Sequence, residues 1–147
     1  MAKIRIRIAG LYEEDGRILL VKHRKAHREY LLLPGGGQEP GESQQDALKR
    51  EWLEELGLKI DAGQFLFCGE SVPPHGLRKS QVLQIVFKVD KIYGEIELVK
   101  DGPLVDFTWV KHSDIGSITF FPGCTNQIKK YLGSEPFQSY ERYDWLN

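Results

Sequence analysis

The chain has 147 residues, of which 41% are hydrophobic, and its 20 basic and 21 acidic residues give a formal net charge of −1. That length and apolar share exclude a disordered chain and fit one core-forming domain over residues 1–147. The charge balance gives no basic excess for a nucleic-acid backbone or an anionic membrane, so an anionic ligand would need a local site or a metal. The only cysteines, Cys68 and Cys124, are too few for a disulfide framework and too far apart for a zinc pair, and are expected as reduced, buried thiols.

In chain order, the opening MAKIRIRIAG alternates charged and apolar residues, which suits neither a signal peptide nor a membrane span, so a cytoplasmic location is expected. KIRIRIAGLYEEDGRILLVKH predicts two strands around a turn near Asp15-Gly16, with Ile4, Ile6 and Ile8 on one face and the arginines on the other. EYLLL is a short strand running into three glycines. Residues 44 to 56 predict a helix, capped by Ser43 with Asp46 as capping-box partner and ended at Gly57. KIDAGQFLFCGESV, QVLQIVFKVDKIYG and VDFTWV predict further strands, and TNQIKKYLG a short helix closed by Gly133. Strands and helices mix without regular alternation, which predicts α/β architecture with a mixed sheet and helices packed on it. The tail PFQSYERYDWLN is aromatic enough to expect packing on the domain or on a partner subunit of a homodimer.

The central helix carries an acidic arc. At about 100° per residue from Ala47, Glu51 lies near +40°, Glu54 near −20° and Glu55 near +80°. Ala47, one turn earlier, gives the arc a small neighbour and room for an approach, while Leu48, Trp52 and Leu56 form a separate apolar arc. Like charges at these spacings repel by about 0.2–0.5 kcal/mol each. Glu54 and Glu55 also sit at the negative end of the helix dipole. Arg50 can offset part of this, and a hard divalent cation such as Mg²⁺ far more. An acidic surface helix would show the same arc. The preceding PGGGQEPGE, however, lets the backbone fold tightly and approach a ligand, so Gly35 and Gly37 are expected beside substrate.

Gly36, Glu42 and the run Arg50-Glu51-Trp52-Leu53-Glu54-Glu55-Leu56-Gly57-Leu58 stand at the spacings G-x5-E-x7-R-E-U-x-E-E-x-G-U, where U is bulky and aliphatic. This resembles the Nudix box. The flanking LLLPGGG and the later FTWV also resemble that family, of MutT-like hydrolases. Trp52 departs from the aliphatic pattern and is expected as a core substitution that does not touch the chemistry. The resemblance implies an α/β/α sandwich around a mixed β-sheet. It also implies a Mg²⁺- or Mn²⁺-dependent hydrolase of nucleoside diphosphates linked to another moiety. It makes Glu51, Glu54 and Glu55 the metal carboxylates, with the Gly36 carbonyl completing the shell. Arg50 orients a glutamate, and Glu42 supports the loop–helix junction or a further metal.

Water should attack one phosphorus of the diphosphate, with Glu54 or Asp101 as general base. Asp101 in Asp-Gly-Pro also fits an ordinary turn, and Asp106 is a weaker candidate. Arg24 could reach a substrate phosphate or belong to a solvated loop. His23, His27, His75 and His112 share no metal spacing and are expected at the surface or in loops. Pro73 and Pro74, 15 and 16 residues past Leu58, resemble the ADP-ribose pyrophosphatase group, which would put Pro74 against the substrate. Dinucleoside polyphosphates and nucleoside triphosphates remain alternatives, as do a non-catalytic nucleotide-binding module and an RNA-directed enzyme. All the box acids are present, which favours the enzyme.

Overall fold

The computed structural model describes residues 3–145. Its strands are β1 (Ile4–Leu11), β2 (Glu13–Glu14), β3 (Arg17–Lys25), β4 (Arg28–Leu32), β5 (Gly35–Gly37), β6 (Lys59–Ser71), β7 (Gln81–Tyr93), β8 (Leu104–Lys111) and β9 (Tyr140–Tyr143). The helices are α1 (Gln44–Leu56) and α2 (Thr125–Leu132), with a 3-10 turn over His112–Ser117. Five strands form a mixed sheet in the order β5-β1-β7-β6-β9, in which β1 runs parallel to β7 and β9 parallel to β6. β3 centres an antiparallel sheet, flanked by β8 on one side and by β2 and β4 on the other.

The predicted first hairpin is only partly formed. Asp15 and Gly16 both take positive φ, 52° and 73°, as a tight type I′ turn requires. That turn joins β3 to the two-residue β2, while β1 leaves for the other sheet and pairs with β5 and β7. The predicted alternation in β1 also fails. Ile4 and Ile6 are exposed, whereas Ile8, Ala9, Gly10 and Leu11 are all buried. Period-two patterning holds for a strand with one wet face, and this one enters the sheet interior with helices on both sides. β3 is buried on both faces for the same reason from Ile18 to Val21.

Those two faces define the layers. Ile8, Leu19 and Val21 pack with Ala47, Leu48, Trp52 and Leu56 of α1, while Ala9, Leu11, Ile18 and Leu20 pack with Ile115, Phe120 and Ile128 on the α2 side. The result is an α/β/α sandwich around mixed sheet, as expected. Ala47 is fully buried, so it is a core residue and leaves no approach beside the acidic arc.

α1 is bounded as its sequence predicts. The Ser43 side chain accepts from the Asp46 amide, and Gly57 turns left-handed at φ 65° to end it. The exposed carbonyls at its end are met from outside: the amides of Glu97 and Val99 donate to Leu56 O and Glu55 O, at 2.8 and 2.9 Å. Gly133 follows α2 with φ −83°, and the left-handed residue there is Ser134.

The aromatic tail packs on its own chain. β9 adds to the edge of β6, Tyr143 is buried over Gly69, where any side chain would collide with its ring, and the Tyr143 hydroxyl donates to Gln127 Oε1 at 2.6 Å. The buried Gln127 amide in turn donates to the carbonyls of Cys68 and Gln138, so the polar groups enclosed with the ring are paired. Cys124 is buried and burial raises its thiol to about 12, while Cys68 is half-buried; both thiols are free.

Candidate active site

Arg50 organises the loop–helix junction. Its Nε and Nη2 clamp Glu42 at 3.0 and 2.7 Å, and Nη2 also donates to Gly37 O at 2.9 Å. Nη1 donates to Glu51 at 2.9 Å and to Glu54 at 3.3 Å. One guanidinium therefore ties the glycine strand, the connecting loop and the acidic arc together, using the fork geometry that lysine lacks. The hydrogen bond to Glu42 raises the Arg50 pKa, and the same contact with the Glu39 amide lowers Glu42 to about 2, so this pair stays ionised throughout the working range. Glu42 lies in the loop before α1 and accepts hydrogen bonds from Arg50 and the Glu39 amide.

The glycines bring the backbone onto the helix. The Glu51 carboxylate lies where a Cβ on Gly36 would stand, and a Cβ on Gly35 would strike the Ile8 carbonyl. Gly35, Gly36 and Gly37 pair with Ala9, Ile8 and Arg7 of β1. Trp52, fully buried, adds a bond outside the expected core role: its Nε1 donates to Pro34 O at 2.9 Å, and the Gly10 amide donates to the same oxygen at 2.9 Å. The carbonyl preceding the glycines is thus held from both the sheet and the helix.

Among the described residues, no three His, Cys, Asp or Glu side chains converge to hold an ion as they stand. Arg50 draws Glu51 and Glu54 toward itself. The donor set nevertheless fits a hard cation. Glu55 Oε2 is buried without a hydrogen-bond partner, and burial pushes that carboxyl up to about 7 despite the pull of Arg7. An orphaned buried carboxylate oxygen in the field of Glu51 and Glu54 is a site short of positive charge.

A cavity of about 340 Å³ has none of the junction residues in its lining, and Arg7, which pairs with Gly37 across β1 and β5, is the link between the two. Arg7 reaches it from β1, His23 and Lys25 from β3, Tyr30 from β4 and Phe121 from the segment before α2, while β9 delivers Asp144 and Trp145 to its wall. The Tyr30 and Phe121 ring centroids are 5.1 Å apart, and Arg28 lies over Phe121. His23 is therefore no loop residue. It is half-buried in a strand, its ring packs edge-on against Tyr30, its Nε2 is buried without a hydrogen-bond partner, and burial with Arg7 nearby lowers its pKa to about 4. Arg7, expected only on the strand face opposite the isoleucines, is a cavity residue that sequence periodicity does not single out.

Other predicted residues lie outside this cavity. Arg24 alternates away from His23 and Lys25 and pairs with Glu29. Pro74 is exposed in the β6–β7 connection, whose bases, Ser71 and Ser80, line the cavity instead. Asp101 is exposed two residues past Val99, on the segment that docks on the end of α1. Asp106 is occupied by the Phe107 amide at 2.8 Å. No described helix is long and apolar enough to cross a membrane.

The sequence matches the NUDIX domain family over residues 1–130, and the chain belongs to that family. The expectation of a Nudix pyrophosphohydrolase stands with it. The chain is 32% identical over 105 residues to an ADP-ribose pyrophosphatase of Methanocaldococcus jannaschii, an alignment that covers 69% of this chain and 60% of the relative. It is 32% identical over 116 residues to the nucleoside triphosphatase NudI of Escherichia fergusonii, covering 74% of this chain and 82% of that one. A MutT protein from Bacillus halodurans has the same fold, with a TM-score of 0.75 at 22% identity over 95% of this chain and 90% of that one.

Proposed function

We propose that the chain, as a single cytoplasmic domain over residues 1–147, hydrolyses a diphosphate bond in a nucleoside diphosphate linked to another moiety, with Mg²⁺ or Mn²⁺ as cofactor. The observation that carries this reading is the Arg50 junction, which sets Glu51 against Gly36 beside the unpartnered Glu55 oxygen. Glu51, Glu54, Glu55 and the Gly36 carbonyl would hold the ion. Bound there, it would neutralise the phosphate oxygens and make water a better nucleophile.

The remaining work falls to the chain itself. Arg50 keeps Glu51 oriented and, through Gly37 O, fixes the glycine strand along which the diphosphate lies. Gly35 and Gly37 let the phosphates approach the backbone. Glu54, its side chain 59% exposed and held by one long contact, is placed to take the proton from water attacking phosphorus. Asp101 is the alternative base. The cavity whose wall includes Tyr30 and Phe121 would seat the nucleoside. Arg24 and Pro74 would contribute only through a substrate that reaches beyond that cavity.

ADP-ribose or a similar nucleotide sugar is the reading drawn from the archaeal relative and the Pro73-Pro74 spacing. A nucleoside triphosphate is the second, favoured by the higher coverage of the NudI relative. Comparing kcat/KM for ADP-ribose, diadenosine tetraphosphate and a panel of nucleoside triphosphates at one Mg²⁺ concentration separates them. A tenfold advantage for either of the latter classes, by about 1.4 kcal/mol of transition-state stabilisation, overturns the sugar reading. Chelation by EDTA should abolish turnover and added Mg²⁺ or Mn²⁺ restore it. Activity that survives chelation removes the metal from the mechanism.

A further inference from the structure

Arg7 is a half-buried cation with no acid in ion-pair contact among the described residues. It stands opposite Gln84 in the parallel β1–β7 ladder, and Nη1 donates to Gln84 Oε1 at 2.8 Å. Nη2 donates to Leu33 O at 2.8 Å, one residue before the proline that leads into the glycine strand. Gln84 is itself buried, so the guanidinium is held on a rigid support. Among the described residues, no carboxylate lies within ion-pair distance of it. Burial lowers its pKa, with Glu55 and Glu51 acting only at longer range to raise it. A desolvated, unpaired charge is expensive to keep in a fold and is explained when a ligand completes it.

The ligand's chemistry follows from the donors. A guanidinium has five N–H groups and no acceptor, and the two bonds to Gln84 and Leu33 leave the rest for the cavity that Arg7 lines. Tyr30 and Phe121 supply flat apolar surface of the kind that a planar base packs against. A donor-only fork matches a base edge with two neighbouring acceptors. Guanine offers O6 with N7, and cytosine O2 with N3. Adenine sets its N6 amino donor beside N7, so an N–H would face an N–H in a dry site.

We propose that Arg7 reads the base of the substrate, selecting a guanine or cytosine nucleotide and discriminating against adenine. This rests on the reading of the cavity as the nucleoside seat, and it makes ADP-ribose a poorer substrate than its guanine or cytosine counterpart.

Binding of the nucleoside monophosphate products to the full chain in EDTA tests it without catalysis. Titration calorimetry should find GMP or CMP bound at least about tenfold more tightly than AMP. Arg7→Gln, which offers one donor and one acceptor, should bring AMP level with or above GMP, while Arg7→Lys should keep the wild-type order with weaker binding. Three results overturn the proposal: AMP binding as well as GMP and CMP, Arg7→Gln weakening all three monophosphates equally, or no binding of any at millimolar concentration. Should Arg7→Gln fail to fold, the wild-type ranking and Arg7→Lys decide alone. Absence of turnover on every nucleotide, with the base ranking intact, would remove the hydrolase reading and leave this one standing.

Discussion

The acidic junction and the basic cavity are neighbours built in opposite ways. The junction comes from residues 36–55, one glycine strand, one loop and one helix, with Arg50 neutralising the carboxylates it gathers. The cavity comes from β1, β3, β4, the β6–β7 connection, the segment before α2 and the end of β9. Its half-buried Arg7 has no acid in ion-pair contact among the described residues. A helix reports its own faces through short spacing, so a contiguous site can be read along the chain. A cavity assembled by topology leaves no such record. The proposed chemistry divides in the same way, with reaction assigned to the junction and recognition to the cavity.

The first way to break this division is at the junction. Glu54→Gln keeps the shape and removes a charge, and should lower kcat by about 10²-fold or more, with the fold intact by circular dichroism and base ranking in binding unchanged. Near-wild-type turnover would remove Glu54 from the chemistry.

Trp52 comes next. Trp52→Ala should lower stability by about 3–5 kcal/mol in urea unfolding, since the ring is fully buried. Trp52→Leu should remain folded and active but lose about 1 kcal/mol with the bond to Pro34 O. A stable, inactive Trp52→Leu protein would mean that the ring itself shapes the site.

A smaller effect lies in the cavity. His23 binds its proton near pH 6.5 in the unfolded chain but only at about 4 when folded, so between these values the unfolded state holds more protons. Stability is therefore full above about pH 6.5 and should fall by about 1–2 kcal/mol as pH drops toward 4, the full linkage being discounted for partial exposure. His23→Gln should flatten that part of the profile in urea titrations. An unchanged slope would assign the loss to other groups. Tyr143→Phe, which leaves Gln127 Oε1 without its donor, should cost about 1–2 kcal/mol and leave kcat on a saturating substrate unchanged.

Helix α1, its caps and the contact of Arg50 with a helix glutamate were legible because every partner lies within one or two turns or one short loop. Ala47 misled because a helical wheel gives angles without saying which neighbouring arc is covered. Arg7 and His23 misled because alternation and charge both suggested water, while β1 and β3 carry helices on both faces. Trp52 was legible as core, but its bond to Pro34 O depends on where β5 meets α1. The partner of β1 could not be read either, since its neighbour β7 begins 77 residues after it does.

The burial of Tyr143 has a consequence for the order in which the molecule is made. The α1-side core draws its last buried residue from Leu104, whereas the α2-side core needs Tyr143. At about 5–20 residues per second, the intervening stretch takes about 2–8 s to synthesise. During that interval a nascent chain has the components of one half of its interior and lacks the ring that fills the space over Gly69. The acidic junction can form while part of the cavity wall is still unmade, so a stalled chain would carry the Arg50 cluster before Asp144 and Trp145 join that wall.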